Sequence, residues 1–125
     1  MEFPKKRAGW MMAAAVIALA EASCGKNQSA KAAAEQLEKS FEKTDGAVKQ
    51  EVIRAGTALQ ASNYTQAILI MDRVVQSQPI DETQKSAVDA LLIQARQAVQ
   101  RDPKLNTPEL YKAMSDLLVR VHGEN

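Results

Sequence analysis

The stretch DETQKSAVDALLIQARQAVQR, residues 81–101, decides the fold class. Val88, Leu91, Leu92, Ala95 and Val99 follow at steps of three, one, three and four. That spacing puts them on one face of a helix. Asp81 precedes the run and Gln84 stands three residues on, an arrangement close to a capping box, in which side chain and backbone satisfy each other's donors. Asp102-Pro103 closes it, because proline cannot continue a helix. A helix from the capping aspartate to about Arg101 is therefore expected.

Toward the C-terminus, Thr107-Pro108-Glu109 combines a cap, a proline at the first helical position and an acid in the first turn. Leu110, Met114, Leu117, Leu118 and Val121 supply the apolar stripe of a helix there. His122 and Gly123 end it, with a cationic ring at the negative end and a glycine beyond. Toward the N-terminus, Tyr64 to Gln78 carries a wide apolar face of Ala67, Ile68, Ile70, Met71, Val74 and Val75, and Pro79 stops it. Ala61-Ser62-Asn63 separates it from what comes before, with Asn63 suited to the left-handed conformation or Ser62 to capping. Leu37, Phe41, Val48, Val52, Ala55 and Leu59 stay in helical phase throughout. Asp45-Gly46 interrupts them chemically. The unbroken phase favours one helix with a kink over two helices.

No stretch alternates with a period of two. Five glycines and four prolines in 125 residues are too few for a turn-rich β architecture. The expected fold is all-α, a small antiparallel helical bundle or helical hairpins over residues 31–125. The formal net charge is +1. Lys5, Lys6 and Arg7 against Glu2 and Glu21 account for that excess, so the chain from Cys24 onward is balanced. A nucleic-acid partner would want a basic face, and none is expected.

Residues 1–23 read as a signal peptide. The uncharged run from Ala8 to Ala20 follows the three basic residues and would span ~20 Å as a helix, short of the ~30 Å hydrocarbon core of a membrane. Small residues at Ala18, Ala20 and Ala22 suit a leader peptidase. The lone cysteine, Cys24, follows at once. The stretch from Leu19 to Cys24 resembles the lipobox of bacterial lipoproteins, with Ala22 and Ser23 fitting the pattern and Glu21 standing where that family has an aliphatic residue. The resemblance implies lipidation of Cys24 and a membrane anchor, with residues 24–30 as a polar tether.

The segment from Glu51 to Pro79 resembles a tetratricopeptide-repeat hairpin, with Ala67, Met71, Val74 and Pro79 on the motif's spacing. The first half departs from it: Glu51, Arg54, Ala55 and Ala58 stand where the family has Trp, Leu, Gly and Tyr. The resemblance implies a scaffold for a peptide or protein and no catalysis.

His122 and Cys24 lie at opposite ends and make no metal site by spacing, nor a nucleophile–base pair. Glu35, Glu38 and Glu42 with Lys39 and Lys43 read as charge pairs along an exposed helix face. No phosphate loop or zinc spacing is present. No catalytic, cofactor-binding or metal residue is assigned, and no small-molecule substrate or cofactor is expected. The reading is a non-catalytic exported helical module of the cell envelope that binds a protein or peptide. The alternatives are a free periplasmic binding or chaperone-like protein, and a lipoprotein self-associating through a coiled coil over Lys31–Leu59.

Overall fold

The computed structural model describes residues 29–123 of the chain. They form five α-helices and one 3-10 turn, with no strand among the described residues. The helices are α1 (Ala30–Ser40), α2 (Gly46–Gln60), α3 (Tyr64–Ser77), α4 (Glu82–Arg101) and α5 (Pro108–His122), with the turn at Pro103–Leu105. The all-α expectation holds. The signal peptide expected over residues 1–23, and Cys24, lie outside the described residues. Ala30, read from sequence as the end of the tether, is the first residue of α1.

Every helix starts on a side-chain cap. Ser29, Asp45, Asn63, Asp81 and Thr107 each accept a bond from the backbone N–H three residues on. Each cap satisfies one of the donors a helix start leaves without an intrahelical partner, a contribution of about 1 kcal/mol. The start signals read at Asp81 and Thr107 are both realised.

The region around Asp45 corrects the sequence reading. The segment is two helices, not one with a kink. Phe41 ends α1, Thr44 Oγ1 donates to the Phe41 carbonyl at 2.6 Å, and Asp45 opens α2 by accepting from Val48 N at 3.0 Å. The chain folds back, so that α2 packs on α1. Glycine is not what forces the break, since a Cβ on Gly46 would meet nothing within 4 Å. The stripe was in phase because each helix needs an inward face, whether or not the two are joined. A continuous coiled coil over Lys31–Leu59 is therefore not what this segment forms. Gly56 does serve the new contact: a Cβ there would lie 3.3 Å from the Ala34 Cβ, so its absence lets the helices approach closely.

At the next junction the two polar residues hold different roles. Ser62 takes the left-handed conformation with φ 64°, and Asn63 caps α3. Left-handed backbone at serine costs more than at glycine or asparagine, and here it buys a turn short enough to bring α3 against α2.

Around the bundle, α1, α2 and α3 pack as successive neighbours, α5 lies on the far side of α3, and α4 returns against α1. One apolar core draws on all five helices, including Leu37, Phe41, Leu59, Met71, Leu91 and Leu117, each fully buried. Full burial of a leucine or phenylalanine contributes about 1.5–3 kcal/mol. Gln84 joins the capping of α4 to this packing. Its Oε1 accepts from Asp81 N at 2.9 Å, and its Nε2 donates to the Ser40 carbonyl at 3.1 Å. That carbonyl is one of those left open at the end of α1.

Candidate functional site

The described surface is built largely of charged and amide side chains, and its large apolar exceptions are informative. Ile53, Leu69, Ile93, Tyr111, Leu118 and Val119 are exposed. Three of these six sit on α5, and Tyr111 is the most exposed at 67%. The inner face of α5 is ordinary core: Leu110, Ala113, Leu117 and Val121 are buried. Leu118, which the spacing placed on the buried stripe, is 42% exposed, and Ala113 takes the inner position instead. The correction follows from the angle of packing. Stepping i, i+7 and i+8 from Leu110 straddles the stripe, and the contact with α3 selects Leu117 of the pair.

Two bonds pin the last turn of α5. Arg120 Nε donates to Asp72 Oδ1 of α3 at 2.6 Å. His122 Nε2 and Asp89 Oδ1 of α4 lie 2.8 Å apart. The His122 pair also sets the register of α4 against α5. Ile93 is one turn beyond Asp89 and Leu118 one turn before His122. In two helices running opposite ways, these apolar residues fall at the same height. Ile93 on α4 and Tyr111, Leu118 and Val119 on α5 are exposed, and Met114 is half-buried. Exposed apolar groups gathered on one region of a small domain mark contact surfaces.

Sequence reading missed this surface, because it placed Leu118 on the buried stripe and read His122 only as an exposed residue at a helix end. The partner of His122 is thirty-three residues away, and no local pattern announces it.

Ala67, Met71 and Val74 are buried along α3, which packs against α2 and α5, while Pro79 is exposed in the link to α4. Glu51, on the half that departs from the motif, accepts from Arg54 Nη1 at 2.7 Å and from Arg73 Nη2 of α3 at 3.5 Å. Its carboxyl is held below the ordinary value, chiefly by the Arg54 hydrogen bond, with desolvation opposing and the Arg54 and Arg73 charges and the Arg73 hydrogen bond adding to the lowering. Glu35, Glu38, Glu42, Lys39 and Lys43 are all exposed, and among the described residues no ion pair joins them. The pairs expected on that face are not formed.

Among the described residues no three His, Cys, Asp or Glu side chains gather as a metal site, and no helix is long and apolar enough to cross a membrane. An open depression of about 550 Å³ near the start of α1 is lined by Tyr64, Gln94, Gln97, Gln100 and Arg101 among others, a polar wall with no acid–base pair. Comparison with protein-family models, with curated proteins and with solved structures finds no match to this chain.

Proposed function

We propose that this chain is a non-catalytic helical module of the cell envelope, exported by its leader, tethered through lipidated Cys24, and working by binding another polypeptide. The observation that carries the binding part is the apolar surface of α4 and α5. Tyr111, Leu118 and Val119 are exposed on one helix whose inner face is buried in the core, and exposed apolar side chains of this kind suit contact with another polypeptide. Tyrosine is also a residue that supplies much of the energy of protein contacts. The buried Ala67, Met71 and Val74 along the α2–α3 hairpin support a repeat-like scaffold. The tethering part rests on the basic residues, the apolar run and the cysteine that follows it.

Glu21 favours a second reading, a free periplasmic protein of the same fold. Mass spectrometry of the mature protein separates the two. A chain starting at an acylated Cys24, and lost from the membrane fraction on Cys24→Ser, supports the tether. A chain starting at Glu21 or Ser23, with a fractionation that Cys24→Ser leaves unchanged, rejects it.

A further inference from the structure

We propose that the outer face of α5 is where two copies of this chain pair, with their α5 helices antiparallel across a two-fold axis level with Met114 and Ser115. The proposal rests on the protein-binding part of the reading above and is independent of the tether.

The charges along α5 come in a self-complementary order. Glu109, Lys112, Asp116 and Arg120 follow at steps of three, four and four, which keeps them along one flank of α5. Their signs alternate, negative, positive, negative, positive. Read backwards, every sign is inverted. A two-fold contact brings a helix against its own reverse, flank to the same flank. Glu109 then faces Arg120 of the second copy, Lys112 faces Asp116, and symmetry supplies each pair twice. A parallel two-fold pairing would instead set this charged flank against the apolar flank of the second copy.

The apolar flank asks for the same axis independently. Tyr111 and Leu118 are seven residues apart. Their midpoint, like that of Glu109 and Arg120, falls between Met114 and Ser115, and the midpoint of Lys112 and Asp116 falls on Met114. One axis therefore sets Tyr111 over Leu118 on one flank while matching the charges on the other. Ser115 is the small residue at the crossing, and Val119 lies between the flanks. The charges are available for exchange. Lys112 Nζ and Asp116 Oδ2 lie 2.7 Å apart within the chain, at 77% and 42% exposure, where such a pair contributes only about 0.3–0.5 kcal/mol. Arg120 uses one of its five N–H donors on Asp72.

The test is sedimentation of the full chain carrying Cys24→Ser, which removes both the anchor and any disulfide through that cysteine. At about 100 µM a contact of micromolar Kd is nearly saturated, so a dimer is expected. Lys112→Glu and Asp116→Lys, each on its own, place like charges together twice and should weaken the dimer by about tenfold or more. The double variant restores every pairing and should recover it. A monomeric reference protein, a dimer indifferent to Lys112→Glu, or a double variant no better than the singles would overturn the pairing. Both positions are on the surface, and circular dichroism confirms that the variants fold. A photo-crosslinking residue at Tyr111 separates this failure from that of the wider reading. Crosslinking to a second copy supports the proposal. Crosslinking only to a different polypeptide overturns self-pairing and leaves the protein-binding reading standing. No crosslink to any polypeptide overturns both.

Discussion

The inner and outer faces of α5 both carry large aliphatic residues, though only the outer face also carries charges. Leu117 is fully buried, and its neighbour Leu118 is 42% exposed. The first belongs to a core shared by five helices, and the second lies at the surface. Burial here is thus a property of position against α3 and α4, not of side-chain type. Inside, an apolar group stabilises the fold. Outside, the same group adds little to the fold.

The sharpest way to break that division is at the centre of α4. Leu91→Asp puts an uncompensated charge among fully buried neighbours and should unfold the domain, a cost beyond about 4 kcal/mol. Unchanged helicity and melting by circular dichroism would mean that the inner face is misassigned. Next, Leu117→Ala removes methyl groups from the core and should cost about 2–5 kcal/mol in urea unfolding. The polar part of the interior is tested by Gln84→Glu, which keeps an oxygen for the Asp81 N–H but replaces the donor to the Ser40 carbonyl with an acceptor. It should cost about 1–3 kcal/mol, more than an ordinary cap. Equality with Asp81→Ala, at about 1 kcal/mol, would reduce Gln84 to a local role.

On the outer face, Leu118→Ala should shift the stability of the monomer, measured at low concentration, by no more than about 0.5 kcal/mol. A loss as large as that for Leu117→Ala would erase the distinction between the faces.

The smallest expected effect belongs to the charged surface. Arg54→Ala should let the Glu51 carboxyl rise toward its ordinary value, and Arg73→Ala should move it less, both read by NMR titration. A carboxyl lowered in the folded state adds stability above its unfolded pKa. That contribution is lost as pH falls through the folded value. Removing Arg54 should therefore make the acid limb of the stability curve slightly shallower.

Much of the fold was legible because its signals are local. The ends of α3, α4 and α5 are written within a few residues, as an amide, an aspartate or a threonine cap at one end and a proline or glycine at the other. The candidate surface was not legible. Leu118 looks like core to any helical period, and His122 looks like a helix end until Asp89 is placed beside it.

The last three helices are encoded locally, since a cap bonds three residues on and an apolar face repeats every three or four. Only the tertiary structure decided that the chain turns back at Thr44 and Asp45, that α4 lies against α1, and which leucine of α5 faces inward. These depend on how whole helices fit one another. Contacts such as Gln84 to Ser40 and Arg120 to Asp72 join residues forty-four and forty-eight positions apart, far beyond the reach of any local pattern.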